Sequence, residues 1–311
     1  MQNLSVKTAH SRIKEHIHQT AVLQSSFINE LSGASLFFKC ENFQKGGSYK
    51  LRGALNASLC LTENQLEKGL GTHSSGNFAQ AVAISAKLTN TQAFVVMPSN
   101  APSVKRTATI GYGANVTDCE PTLKAREAML SEIIAKTGAS KLHPSNDIDV
   151  IVGQGTCAYE LIGAFADLDY IITPVGGGGV VAGTILACQQ HSPDTRVIGA
   201  EPEQADDAYQ SLKQGKIMPS INPSTIADGL RTQLGHNNFP IIKDGIDQIL
   251  LVSEEEIVGA MALVWNRMKI IIEPSSATTL AAVIANPELF KEKKVGLIIT
   301  GGNVDLTKLP F

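Results

Sequence analysis

Residues 170–187 read YIITPVGGGGVVAGTILA. An apolar, β-branched run, Tyr170–Pro174, reaches four consecutive glycines, Gly176–Gly179, and passes at once into a helical pattern from Val180 to Gln190. A buried strand that turns directly into a helix is one βα unit of a parallel sheet. Glycine permits positive φ and leaves backbone N–H groups unshielded. A helix start adds unpaired donors and partial positive charge, so this turn suits a phosphate. The spacing is not Gly-x-Gly-x-x-Gly and no Gly-Lys-Ser/Thr follows, which argues against dinucleotide and P-loop readings. A tight turn that binds nothing is the bland alternative.

The same alternation extends along the chain. Strands are expected at Gln92–Met97, Arg196–Ala200, Gln248–Val252 and Val295–Thr300. Helices are expected at Asn77–Leu88, Pro102–Tyr112, Thr122–Thr137, Gly155–Ala166, Glu254–Lys269 and Ser276–Ala285. Ser253 before three glutamates reads as a helix start. Residues 69–146 carry a compact run of strand–helix units. A small domain over 69–146 is therefore expected inside a discontinuous large one, 1–68 and 147–311.

Composition excludes several classes of function. Of 311 residues, 43% are hydrophobic and 18% charged, enough for a core and too apolar for disorder. The 26 basic and 29 acidic side chains leave a net charge of −3, which argues against nucleic-acid binding. Five dispersed cysteines without a Cys-x-x-Cys pair make a zinc ribbon or disulfide framework improbable. Met1–Lys14 lacks the apolar stretch of a signal peptide, and no apolar run reaches membrane-spanning length. A cytoplasmic protein without membrane association is the expectation.

Two polar segments add chemistry. Thr72-His73-Ser74-Ser75-Gly76-Asn77 precedes a helix and reads either as a simple cap or as a carboxylate-binding helix start. Lys45-Gly-Gly-Ser48-Tyr49-Lys50-Leu51-Arg52-Gly53-Ala54 sets a lysine behind small residues and an aromatic. A lysine is normally a solvated surface residue. Partly desolvated, it can form a Schiff base with an aldehyde. The phosphate loop suggests which aldehyde: pyridoxal phosphate.

Together these segments resemble the fold-type II pyridoxal-phosphate enzymes, in the serine racemase and serine/threonine dehydratase (hydroxyaspartate dehydratase) family. Ser48-Tyr49-Lys50-Leu-Arg-Gly-Ala is similar to the segment carrying the cofactor lysine, and Ser74–Asn77 to the substrate-carboxylate loop. His143-Pro144 with Gly153-Gln154-Gly155-Thr156 matches a recurring segment, Gly176–Gly179 the phosphate cradle, and Thr300-Gly301-Gly302-Asn303 a C-terminal Ser-Gly-Gly-Asn. The resemblance implies a tryptophan-synthase-β-like α/β fold, with two open parallel α/β domains and the cofactor between them. It also implies a dimer of identical chains.

Roles follow from the resemblance alone. Lys50 is implied to hold the cofactor and, once displaced, to remove the Cα proton. Tyr49 is implied to pack on the cofactor ring, Asn77 to bond its phenolic oxygen and Thr300 to face its ring nitrogen. A neutral hydroxyl there does not stabilise a protonated ring, which favours loss of a β-hydroxyl over a long-lived carbanion. Ser75 matches the hydroxyl that allows reprotonation from the opposite face, and thus racemisation. Ser74, Gly76 and Asn77 complete the substrate loop, where Phe78 replaces the usual histidine. Arg126 aligns with an arginine able to meet a second substrate carboxylate, favouring hydroxyaspartate. An exposed helix arginine is its plainer reading. Glu201-Pro-Glu-Gln-Ala205-Asp206-Asp207 resembles a divalent-cation site, with Glu201, the Ala205 carbonyl and Asp207 as oxygen ligands for Mg²⁺, Ca²⁺ or Mn²⁺.

The activity implied is dehydration of serine, threonine or 3-hydroxyaspartate, with racemisation of serine as a second outcome. A β-replacement synthase of the cysteine-synthase type is the enzyme alternative, though typical synthases lack a matching metal loop. A phosphometabolite-binding sensor is the non-enzyme alternative, and it leaves Lys50 and Thr300 without a role.

Overall fold

The structure, a computed structural model, describes residues 4–101 and 103–311. Ten strands among them form two sheets: β1 (Val22–Leu23), β2 (Ser35–Cys40), β3 (Leu70–His73), β4 (Ala93–Pro98), β5 (Asn115–Cys119), β6 (Ser140–Lys141), β7 (Tyr170–Pro174), β8 (Arg196–Pro202), β9 (Gln248–Val252) and β10 (Lys294–Ile299). The six-stranded sheet runs β1-β2-β10-β7-β8-β9, and the four-stranded sheet β5-β4-β3-β6. Every pairing is parallel except β1 with β2. The mixed α/β architecture with parallel sheets, expected from the glycine turn, is the one observed.

β7 is buried along its whole length between β10 and β8. Its alternate residues feed two cores, as strand periodicity requires. Ile171 packs with Leu161, Val181 and Ile185 on one face. Tyr170 and Ile172 pack with Phe38, Met261 and Leu280 on the other. The smaller sheet has its own apolar packing, in which Leu70, Phe78 and Val82 meet Leu51 and Leu55.

Most helix boundaries lie within two residues of expectation. Asn77–Leu88 agrees at both ends. Glu254–Met268 starts behind a capping box, in which Ser253 accepts from Glu256 N and Glu256 bonds back to Ser253 N. Pro102, the expected start of one helix, lies outside the described residues; that helix is seen from Ser103 to Gly111. Periodicity missed β1, β2, β3, β5, β6 and short helices such as Ile148–Gln154. No helix among the described residues is long and apolar enough to cross a membrane.

Because the strands are parallel, their C-terminal ends share one edge of each sheet. The loops that leave β2, β3, β6, β7, β8 and β10 carry the segments singled out above.

Candidate active site

Lys50 opens the helix Lys50–Leu59, directly after Ser48 and Tyr49, which are held against the end of β10. Tyr49 N donates to Thr300 O at 3.0 Å, and Ser48 bridges to Gly301. Lys50 Nζ lies 4.7 Å from the Tyr49 ring centroid and donates to the Pro144 carbonyl at 3.3 Å. Burial lowers the lysine to about 8, partly opposed by the charge of Glu273. An amine that loses its proton near neutral pH can act as nucleophile and base.

The glycine loop stands next to the same carbonyl. Gly178 has φ +82°, a left-handed conformation, and caps the helix Gly179–His191. A Cβ on Gly177 would lie 3.0 Å from Ser145 Cβ, and one on Gly176 would lie 2.8 Å from Leu230 Cα. Asn238 Nδ2 donates to both Ser145 O and Gly177 O at 2.7 Å, tying the loop after β6 to the loop after β7. The cradle therefore accepts only glycine, and it opens a helix start that has no side-chain cap, so its first N–H groups remain free for an anion.

The Ser74–Asn77 loop reaches the site from β3. Asn77 Nδ2 donates to Glu273 Oε1 at 2.8 Å, and its Oδ1 accepts from Asn303 Nδ2 at 3.0 Å. Ser75 is half-buried, and its hydroxyl has no hydrogen-bond partner among the described residues. Gly76 faces Lys105, whose Nζ would lie 3.9 Å from a Cβ there; Lys105 in turn pairs with Asp228 at 2.6 Å. The side chain of Phe78 is 1% exposed and packs among Leu51, Ala54 and Val82. Its ring therefore borders the substrate loop from the apolar side, next to Gly76 and Asn77 in the chain.

Three residues at the site escaped the sequence reading. Glu273 is buried, its Oε2 has no partner, and burial raises it to about 7 against the pull of Lys105. Ser276 Oγ lies 3.0 Å from Thr300 Oγ1 and also bonds Gly301. His73 is buried with neither ring nitrogen paired, pushed down to about 4 by burial and by nearby Arg126. Its ring meets His143 edge-on at 6.2 Å. Arg126 is half-buried, and its Nε is enclosed without a partner. A Glu before Pro reads as a plain helix start, and a His before Ser-Ser as part of a cap. Only the observation that such groups are buried could have marked them.

Glu201, Ala205 and Asp207 form a separate group after β8. Glu201 is fully buried and accepts from Ala208 N and Tyr209 N at 2.9 and 2.8 Å. Neither Asp207 oxygen has a partner, and Asp207 borders a cavity of about 210 Å³ shared with Ala205 and Gln210. Burial raises Glu201 to about 9 and Asp207 to about 6. No cluster of three or more His, Cys, Asp or Glu suited to a metal occurs among the described residues. Any cation here would draw on a backbone carbonyl as well.

A weakly basic lysine beside a glycine-lined helix start defines the class: an α/β enzyme built for a phosphate-bearing aldehyde cofactor. The chain belongs to the pyridoxal-phosphate dependent enzyme family, whose sequence profile matches residues 13–301. It is 51% identical to a serine racemase from Dictyostelium discoideum over 98% of this chain and 95% of that one. It is 48% identical to a beta-hydroxyaspartate dehydratase from Paracoccus denitrificans over 97% and 96%. Its fold matches the structure of maize serine racemase with a TM-score of 0.94 at 39% identity, covering 97% of this chain and 93% of that one.

Proposed function

We propose that this protein is a pyridoxal-phosphate-dependent dehydratase (ammonia-lyase) of β-hydroxy amino acids, with racemisation of serine as a second outcome. The observation that carries the reading is Lys50 Nζ, half-buried and on the Pro144 carbonyl, next to the Gly176–Gly179 helix start. The residues fit the cofactor: the cradle tolerates no Cβ, and the lysine is only weakly basic. Bound there, pyridoxal phosphate supplies the electron-withdrawing ring that acidifies the substrate Cα–H bond. Lys50 takes that proton, the Ser74–Asn77 loop holds the substrate carboxylate, and loss of the β-hydroxyl leads to an oxo acid and ammonia. Tyr49, Asn77 and Thr300 would hold the ring of the bound cofactor, and Ser75 would offer a second hydroxyl for reprotonation.

Arg126 and His73 support a dicarboxylic substrate, 3-hydroxyaspartate. Both carry enclosed nitrogens without partners, and a carboxylate would pair with them. The unpartnered Asp207 oxygens support Mg²⁺ or Ca²⁺ held with Glu201 and the Ala205 carbonyl, neutralising buried carboxylates. The reading includes two domains, 1–68 with 147–311 and 69–146, a cytoplasmic location and a homodimer, the last to be tested by light scattering.

A keto-acid assay across serine, threonine and 3-hydroxyaspartate, both enantiomers, with and without EDTA, tests the function. Oxo-acid release that requires Lys50, and that EDTA suppresses, is the expected result. No release from any of the three overturns it. Borohydride should fix the cofactor on Lys50 in the wild type and not in Lys50→Ala.

A further inference from the structure

Gly153-Gln154-Gly155-Thr156 lies where the parts of the site converge. Gly153 packs on the first turns of the lysine helix: a Cβ there would lie 2.6 Å from Arg52 O and 2.9 Å from Gly53 Cα. Gly155 abuts Gly183 of the helix that follows the glycine loop, so closely that a Cβ would collide with the Gly183 carbonyl. Thr156 Oγ1 accepts from Arg52 Nη1 at 3.3 Å. Between them Gln154 is wholly buried. Its Nε2 donates to Pro144 O at 3.0 Å, the same oxygen that accepts from Lys50 Nζ at 3.3 Å. Its Oε1 has no partner and occupies the space where a Gly179 Cβ would project.

A carbonyl oxygen has two acceptor sites. Here the buried Gln154 amide takes one, and Lys50 takes the other. A base that accepts a proton in a dry site needs an acceptor that steadies its ammonium form without itself taking the proton. A peptide carbonyl does this, provided that it cannot swing away. Leaving Oε1 unpaired is unfavourable, yet the glycine packing on both sides holds the amide in this orientation.

We propose that Gln154 is a positioning residue for Lys50: by holding the Pro144 carbonyl oxygen, it fixes where the free Lys50 amine rests while it exchanges the substrate Cα proton. The inference rests on the reading of Lys50 as the base. The proton passes to Nζ, and the Cα–H electron pair forms the Cα–Cβ double bond. The C–O pair leaves with the β-hydroxyl, which takes the proton from Nζ and departs as water.

The test uses two substitutions of nearly unchanged volume, Gln154→Met and Gln154→Glu. The full-length chain is freed of cofactor, and acetylation of Lys50 by acetic anhydride is followed against pH by peptide mass spectrometry. The wild-type midpoint is expected near about 8. Gln154→Met removes the donor that orients the carbonyl, so the ammonium loses its partner and the midpoint falls by about one pH unit. Gln154→Glu sets a carboxylate beside the ammonium, and the midpoint rises by about one unit. Loosened packing alone would move both in the same direction. In the holoenzyme, Gln154→Met should lower kcat about tenfold with KM changed less than about twofold. Midpoints that stay at the wild-type value, or that move together, overturn the proposal. If Gln154→Met does not fold, a wild-type midpoint in Gln154→Glu does so alone. The acetylation readout needs no substrate, so failure of the dehydratase reading leaves it intact.

Discussion

Lys50 and Glu273 feel each other's charge, and burial drives each toward its neutral form. The lysine falls to about 8 and the glutamate rises to about 7. For Glu273 the sign of the pH dependence follows directly. Its folded value exceeds its ordinary one of 4.5, so its contribution to stability is complete below about 4.5 and is lost as pH rises through about 7. Glu273→Gln imitates the protonated form at every pH. The variant should gain on the wild type as pH rises from about 4.5 to about 7 and keep that lead above it, by at most about 3 kcal/mol, as read by thermal melting. A melting difference that is flat with pH would show that the carboxyl is ionised throughout. None of this is visible in the string Ile272-Glu273-Pro274, because Glu273 meets Asn77 from 196 residues away.

At the scale of elements, packing decides the fate of each glycine. Gly183 touches Ile151 O and the Gly155 backbone, so Gly183→Ala forces two helices apart. It should destabilise by about 1–3 kcal/mol and weaken cofactor retention, since that helix carries the cradle. Gly259, inside the helix Glu254–Met268, meets nothing within 4 Å. Gly259→Ala should stabilise by about 0.5–1 kcal/mol, and paired melting curves compare the two. Elements with a strong local signature were legible in the sequence, including β7 with its glycines, the helix Asn77–Leu88 and the Ser253 start. β2 was not. Its run Ser-Leu-Phe-Phe-Lys-Cys places a charge mid-strand, and Lys39 is only 1% exposed because it reaches Glu160 at 2.6 Å. β3, Leu-Gly-Thr-His, lacks apolar alternation and owes its place to β4 and β6 on either side. Of the candidate site, Lys50, Ser74–Asn77, Gly176–Gly179 and Thr300 stand in motifs that can be read along the chain. Glu273 and Ser276, which join the site through buried contacts from distant stretches of chain, carry no such mark.

Across the whole molecule, a buried ion cluster joins distant stretches of chain. Arg52 pairs with Glu41 at 2.7 Å and Glu160 at 2.8 Å, and Lys39 with Glu160. Removing one cation leaves buried carboxylates uncompensated, so Arg52→Met should cost about 3–5 kcal/mol by chemical denaturation. A cation at Glu201 and Asp207 would act on the same global scale. Mg²⁺ at a hundredfold excess over its Kd should stabilise by about 2.7 kcal/mol, and Asp207→Asn should abolish that gain. The strand order has a different consequence, one of timing. β10 is made after the other nine strands, yet it lies between β2 and β7. On the ribosome the large sheet therefore waits as two unjoined pieces, with β2 lacking its parallel neighbour until the last strand emerges. The small sheet, complete by Lys141, can assemble much earlier. Early order in the small sheet, and edges of β2 and β7 that stay unpaired until synthesis is nearly done, are the expected consequences of this delay.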